Sequence, residues 1–150
     1  MTKHDDDFHA WTQEQVGLLR MNILSGLDTV QVADELEAIG MDEKHAITRQ
    51  LQRLLHHLLK WQYQPTHRTR SWQVSIAQAR DRISDVIERS HSLEPYPAQR
   101  LALAYRRARR DAITVTGLPA SIFPEHCPWP IDNILREGWL PPEREDEREG

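Results

Sequence analysis

Cysteine is almost absent from this 150-residue chain, in which Cys127 stands alone. A single cysteine excludes an internal disulfide, and it also excludes a zinc site built from several thiolates. The six glycines are scattered, so the chain lacks the glycine-rich loop that cradles a phosphate group. No apolar run approaches the roughly 18 residues that a membrane-spanning helix needs. These absences exclude three classes: disulfide-rich scaffolds, phosphate-loop proteins and membrane-spanning proteins.

The amino-terminal residues lack the features of a secretory signal peptide. Residues 2–7 read Thr-Lys-His-Asp-Asp-Asp, whereas a signal peptide has a basic start followed by an apolar run. We therefore expect a cytoplasmic protein with no membrane partner. No motif for a cofactor is present, and no cofactor is expected.

Alternating strand patterns are also missing, and helical periodicity takes their place. Between Ile47 and Pro65, apolar residues recur at positions 47, 51, 54, 55 and 58, which is the spacing of one helix face. Pro65 ends this helix because it has no N–H to donate and its ring clashes with the preceding turn. A stripe this wide predicts the central helix of a bundle.

Two helices are predicted before the central one. The first covers about residues 6–23; the second covers 29–39, turns Leu36 and Ile39 inward and is closed by Gly40. The buried positions expected in these two helices are Phe8, Trp11, Leu18, Leu19, Ile23, Val32, Ala33, Leu36 and Ile39. Later helices are expected from Asp42 to the Pro65 break, over 70–89, from the Pro95–Pro97 turn to Thr116, and over 131–137.

The predicted fold is all-α. We expect a bundle of about five helices, with a proline-rich C-terminal segment and a short final helix packed over it. Residues 1–140 are predicted to form a single helical domain. Residues 141–150 are charged and have no apolar stripe, so they are predicted to be a disordered tail.

Six short motifs occur in a recognisable order along the chain. They are Asp7-Phe8-His-Ala-Trp11, Val32-Ala-Asp-Glu-Leu-Glu37, Leu58-Leu-Lys-Trp-Gln-Tyr-Gln-Pro65, Arg68-Thr-Arg-Ser-Trp72, Thr116-Gly-Leu-Pro119 and Phe123-Pro-Glu-His-Cys-Pro128. This order resembles a bacterial family catalogued as domain of unknown function twenty-nine, over about residues 5–141. The resemblance implies an all-helical cytoplasmic domain and transfers no activity.

The net charge of −4 hides three blocks of alternating sign. Residues 1–43 hold ten acidic and two basic side chains, residues 44–117 hold five acidic and fourteen basic ones, and residues 118–150 hold eight acidic and three basic ones. One interpretation is internal, with acidic first helices packed beside basic later ones. The other is a basic face held open for an anionic partner.

Basic and aromatic residues group where the central helix ends, and four arginines follow later on the fifth predicted helix. If these clusters are adjacent, they could bind a nucleic acid. The arginines would contact its phosphates and the aromatic rings would stack on its bases. Alternatively, the rings brace the corner from inside while the arginines stack on them or bind carbonyl oxygens. The candidate binding patch comprises Trp61, Tyr63, His67, Arg68, Arg70, Trp72, Arg106, Arg107, Arg109 and Arg110.

Eight histidines raise the question of a metal site. His56 and His57 are neighbours on a helix and point about 100° apart, so they cannot chelate one ion together. His91 falls in a single Glu-x-x-His match, and His126 with Cys127 lacks partner ligands. Adjacent residues also seldom reach the thiolate–imidazole geometry of a catalytic cysteine. These five residues remain weak candidates, and no metal site is assigned.

For every candidate catalytic group, a structural role explains the residues better than catalysis does. We therefore predict a protein-interaction module, with a protein partner or self-association as a homodimer. The first alternative is a nucleic-acid-binding domain that uses the arginine clusters. The second is a metal- or thiol-dependent enzyme. The sequence leaves enzymatic activity open, and its features disfavour an enzyme more than they favour one.

Overall fold

The computed structural model describes residues 1–145, and it is all-helical over them, as the periodicity predicts. Its five α-helices are α1 (Phe8–Arg20), α2 (Thr29–Tyr63), α3 (Arg70–Arg89), α4 (Tyr96–Thr116) and α5 (Ile131–Leu135). The connections contain short 3₁₀ turns at Pro65–His67, His91–Leu93 and Ala120–Ile122. Among the described helices, none is long and apolar enough to cross a membrane.

The chain divides into two compact units, Met1–Asp42 and Glu43–Gly150, and each is described by itself below. A single domain over residues 1–140 stays a prediction. Residues 146–150, the last half of the predicted disordered tail, lie outside the described residues.

The buried face of α2 confirms the predicted central stripe. Ile47, Leu51, Leu54, Leu55 and Leu58 are all fully buried. The helix ends at Tyr63, two residues before the proline, because Pro65 cannot continue the ladder of backbone hydrogen bonds.

The predicted break at Gly40 is wrong. Helix α2 runs without interruption for 35 residues, so Gly40 lies inside it and Asp42 does not begin a new helix. A glycine inside a helix costs only about 1 kcal/mol relative to alanine, and the residues around it favour helix. The backbone at Gly40 also keeps negative φ, whereas the glycine that does end a helix, Gly117, has φ +68°.

One apolar cluster forms the core of residues 43–145. Leu55 and its neighbours on α2 pack with the inward faces of α3 and α4 and with side chains from the segment that follows α4. The buried members outside α2 are Ile76, Ala79, Ile83, Ala104, Tyr105, Ala108, Ala112, Phe123, Trp129 and Ile134. Small alanines on α4 let that helix approach closely.

Hydrogen bonds from long side chains fix the segment that follows α4. The Tyr105 hydroxyl donates to the Pro124 carbonyl oxygen at 2.5 Å, and Arg109 donates to the carbonyl oxygens of Ala120 and Phe123. Prolines in this segment supply carbonyl acceptors but no N–H donors, so side-chain donors from α4 take the place of a backbone ladder.

Residues 141–145 contact the end of α2 at two points. The Gln62 amide donates to the Pro142 carbonyl oxygen at 3.2 Å. The Arg144 guanidinium lies 4.8 Å from the centre of the Tyr63 ring. These contacts fall within the stretch predicted to be disordered.

The unit Met1–Asp42 is closed by polar contacts around Trp11. The indole N–H of Trp11 donates to Asp28, and the backbone N–H of Asp28 donates to Gln15. Asp28 also stabilises the start of α2, because its carboxylate accepts from the backbone N–H of Gln31. Helix α1 ends at Arg20 rather than at Ile23, since the chain enters the left-handed region at Asn22, with φ +56°.

Most of the buried positions predicted in this unit are wrong. Leu36 is 65 % exposed and Ile39 is 62 % exposed. The exposed members of the predicted set are Phe8, Leu19, Ile23, Ala33, Leu36 and Ile39. Periodicity shows that a helix has an apolar side, but it does not show whether another element covers that side.

Candidate functional site

The corner between α2 and α3, residues 61–72, is built by capping and cation–ring contacts. Thr69 caps α3, because its hydroxyl accepts from the N–H of Trp72. Arg68 lies over the Trp61 ring at 5.1 Å, and its Nε atom donates to the Trp61 carbonyl oxygen at 2.7 Å. Arg68 therefore closes the last turn of α2, where carbonyl groups lack helical partners.

The other rings of the corner also face cations. Trp72 is half-buried rather than part of the core, and the Lys60 ammonium lies 4.7 Å from its centre. Burial lowers the pKa of Lys60. Tyr63 packs edge-on against Phe123 at 5.4 Å and faces Arg144, and burial raises its pKa. Each of the three rings therefore has one face occupied.

Two polar residues of the predicted patch lie at the surface of this corner. His67 and Arg70 are both exposed. The His67 ring lies 3.1 Å from the hydroxyl of Thr66. Arg70 is the first residue of α3, so its side chain leaves the corner towards solvent.

The four arginines of α4 separate onto two surfaces. Arg106, Arg109 and Arg110 line a groove between α4 and residues 125–127. We call this the α4 groove; its volume is about 850 Å³. Its apolar floor contains Leu101, Tyr105 and Ile113. Arg107 instead lines a smaller cleft between α2 and α4. Because helix neighbours point about 100° apart, adjacent arginines reach different partners.

The weak metal candidates do not converge. No group of three metal-ligating side chains occurs among residues 1–145. The rings of His56 and His57 meet edge to face at 5.3 Å, and the Nδ1 atom of His57 lies 2.9 Å from the Arg53 carbonyl oxygen. Burial lowers the pKa of both histidines, that of His56 to about 4. His91 is exposed at the turn after α3.

Cys127 has the environment of a structural thiol. Its Sγ atom lies 3.5 Å from the Trp129 carbonyl oxygen, to which the thiol donates, and burial raises its pKa. A raised pKa disfavours the thiolate, which is the nucleophilic form. His126 is exposed beside it. This arrangement is that of a small, half-buried side chain in the wall of the α4 groove.

A surface that the sequence did not predict lies in residues 1–42. Large apolar side chains are exposed on α1, on the connection that follows it and on the first turns of α2. They include Phe8, Val16, Leu19, Met21, Ile23, Leu24, Val30, Leu36, Ile39 and Met41. Soluble monomers rarely expose many large apolar side chains close together, and such surfaces commonly mark interaction sites. The signal in the sequence was the apolar stripe itself, which was interpreted as core.

The family model described as domain of unknown function DUF29 matches residues 4–140. No curated protein and no solved structure matches the chain at a significant level. The match includes residues of both compact units and ends at Leu140. The chain therefore belongs to the family described as domain of unknown function DUF29.

Proposed function

We propose that this chain is a protein-interaction module and that its partner is a second copy of the same chain. The observation behind the proposal is the exposed apolar side of α2 over residues 30–41. Leu36 and Ile39 lie one turn apart there, and each exposes more than half of its surface. Ala33 and Gly40 are small neighbours on the same side, so a partner helix or groove could approach closely.

Acidic side chains border this apolar surface. Glu37 lies one turn after Ala33 and Glu35 lies one turn before Ile39, at the two edges of this side, and residues 1–43 hold ten acidic side chains against two basic ones. A complementary partner surface would combine apolar and basic side chains, because rim charges of opposite sign favour association and fix its register.

The α4 groove has this complementary character. Leu101 and Ile113 give it an apolar floor, and Arg106 and Arg110 are exposed at its edge. The same chain thus supplies an acidic apolar helix face and a basic apolar groove. Two copies associating through them would bury both surfaces.

Sedimentation velocity over a range of protein concentrations tests the proposal. We expect the wild-type chain to self-associate and the double variant Leu36→Ser/Ile39→Ser to remain monomeric. Val115→Ser removes another exposed apolar side chain, on α4, and serves as the matched control that still associates. Far-UV circular dichroism checks that each variant keeps its helices.

Charge-reversal variants test whether the charged residues at the edges of the two surfaces contribute to association. Arg110→Glu should weaken association, and Glu37→Arg combined with Arg110→Glu should restore part of it. A wild-type chain that stays monomeric at every attainable concentration would overturn self-association. Equal association by wild type and by Leu36→Ser/Ile39→Ser would show that this helix face is not the interface.

Nucleic-acid binding is less well supported by the geometry. Base stacking needs open aromatic faces, whereas Lys60, Arg68 and Arg144 each lie over a ring near the corner. The arginines of α4 also divide between two surfaces instead of forming one track for a phosphate backbone.

A further inference from the structure

A small cleft between α2 and α4 concentrates positive charge. We call it the basic cleft; its volume is about 250 Å³. It is lined by His45, Thr48, Arg49, Gln52, Arg100 and Arg107. None of the described residues in this lining is acidic.

Helix register places these cations on facing walls. Arg49 follows His45 by four residues on α2, and Arg107 follows Arg100 by seven residues on α4. Spacings of four and seven bring side chains to the same side of a helix, one and two turns apart. Three guanidinium groups therefore line one cleft from two helices.

Among residues 1–145, no carboxylate forms an ion pair with the arginines of the cleft, which are Arg49, Arg100 and Arg107. Asp111 lies nearby, but its carboxylate accepts from the Gln52 amide at 2.9 Å and lies 3.6 Å from Nε of Arg110. Like charges in one cleft repel each other when no counter-charge is present.

Arg100 supplies a second, independent observation that points to a ligand. Its Nε atom is buried and has no hydrogen-bond partner among the residues that the structure describes. Its guanidinium lies 6.0 Å from the Tyr96 ring, and the Lys44 ammonium lies 5.6 Å from the same ring. Buried donors in native proteins almost always have a partner, so this donor in a cationic cleft points to an acceptor that a bound anion would supply.

We propose that the basic cleft binds a phosphoryl group or a similar tetrahedral oxyanion. Guanidinium groups present paired N–H donors that match the oxygens of phosphate, and three of them surround the cleft. The ligand would neutralise the facing arginines and accept from the Arg100 donor. This site is separate from the α4 groove, so it does not depend on the proposed self-association.

Titration with inorganic phosphate at constant ionic strength tests the site, with chloride as the balancing salt. Binding is followed by backbone amide chemical shifts and by the rise in melting temperature that a ligand of the native state produces. We expect saturable binding to the wild type. The variants Arg107→Gln and Arg49→Gln should each raise the dissociation constant about tenfold or more, since each removes a charge-assisted contact.

Arg106→Gln is the matched control. Arg106 precedes Arg107 in the sequence and is also exposed, but it lines the α4 groove instead. We expect Arg106→Gln to bind phosphate like the wild type. The proposal is overturned if chloride alone gives the same stabilisation, or if Arg107→Gln binds phosphate as tightly as the wild type.

Two further probes distinguish the sources of the oxyanion. If adenosine monophosphate and inorganic phosphate bind with similar affinity and compete, the phosphoryl group is the part recognised, as proposed. If a single-stranded oligonucleotide binds far more tightly and loses affinity equally in Arg106→Gln and Arg107→Gln, a nucleic-acid surface replaces the single-group site.

Discussion

The buried guanidinium of Arg80 on α3 donates from Nε to the carbonyl oxygen of Ile134 at 2.8 Å. A second bond of 2.6 Å runs from its Nη2 atom to the carbonyl oxygen of Trp139. Burial lowers the pKa of Arg80. One side chain thereby satisfies acceptors on both sides of the end of α5, a five-residue helix that has few hydrogen bonds of its own.

Replacing Arg80 with methionine should destabilise the fold. The change leaves the Ile134 and Trp139 carbonyl groups without their donor, and we expect the free energy of unfolding to fall by about 2–4 kcal/mol. Urea unfolding measures this. Arg82→Met, at an exposed position of the same helix, should change stability by less than about 0.5 kcal/mol. Equal stabilities of the two variants would contradict a structural role for Arg80.

Two glycines should respond to alanine in opposite directions. Gly40 lies inside α2 with open space where a Cβ atom would be, so Gly40→Ala should stabilise the protein by about 0.5–1 kcal/mol. Gly117 ends α4 in the left-handed region, so Gly117→Ala should destabilise it by about 1 kcal/mol. Thermal unfolding measures both. A destabilising Gly40→Ala would mean that α2 is not continuous at this position.

His56 should make stability depend on pH. Burial, with the nearby charges of Lys60 and His57, lowers its pKa to about 4, while Asp111 on α4 acts in the opposite direction. The unfolded chain binds a proton at His56 near pH 6.5, before the folded chain does. The part of the unfolding free energy that depends on neutral His56 is therefore fully present above pH 6.5. It is lost as the pH falls from 6.5 towards 4. After discounting for partial exposure, the loss amounts to roughly 2 kcal/mol.

The variant His56→Leu tests this expectation. Its unfolding free energy, measured from pH 7 to pH 4, should fall less steeply than that of the wild type. The variant also removes an Nδ1 atom that is buried with no hydrogen-bond partner among residues 1–145. His126→Gln, at an exposed position, should retain the wild-type slope. Parallel curves for wild type and His56→Leu would show that another group controls the pH dependence.

The sequence predicted the elements that local chemistry determines. The stripe from Ile47 to Leu58 is buried, α2 ends just before Pro65, and α3 covers the predicted residues 70–89. Each of these features depends on a few neighbouring residues, so the one-dimensional pattern contains it. The break predicted at Gly40 was wrong because a glycine permits an ending without requiring one.

The candidate sites depend on packing that no local pattern contains. Leu36 and Ile39 have the spacing of a core face, and their exposure is visible only in three dimensions. The basic cleft could have been suspected from Arg100 and Arg107, which share one side of α4. Pairing them with His45 and Arg49 requires knowing which face of α2 lies opposite.

The buried positions of Phe123 and Ile134 have a consequence for how the protein is made. Both belong to the cluster that contains Leu51 and Leu55 of α2, although more than half of the unit beginning at Glu43 separates them in the chain. During translation, α2, α3 and α4 emerge before their last core partners have been synthesised. Their apolar faces stay incompletely covered over that interval, and such exposed surface attracts chaperones or promotes aggregation. The unit therefore completes its core only after the ribosome has passed residue 134.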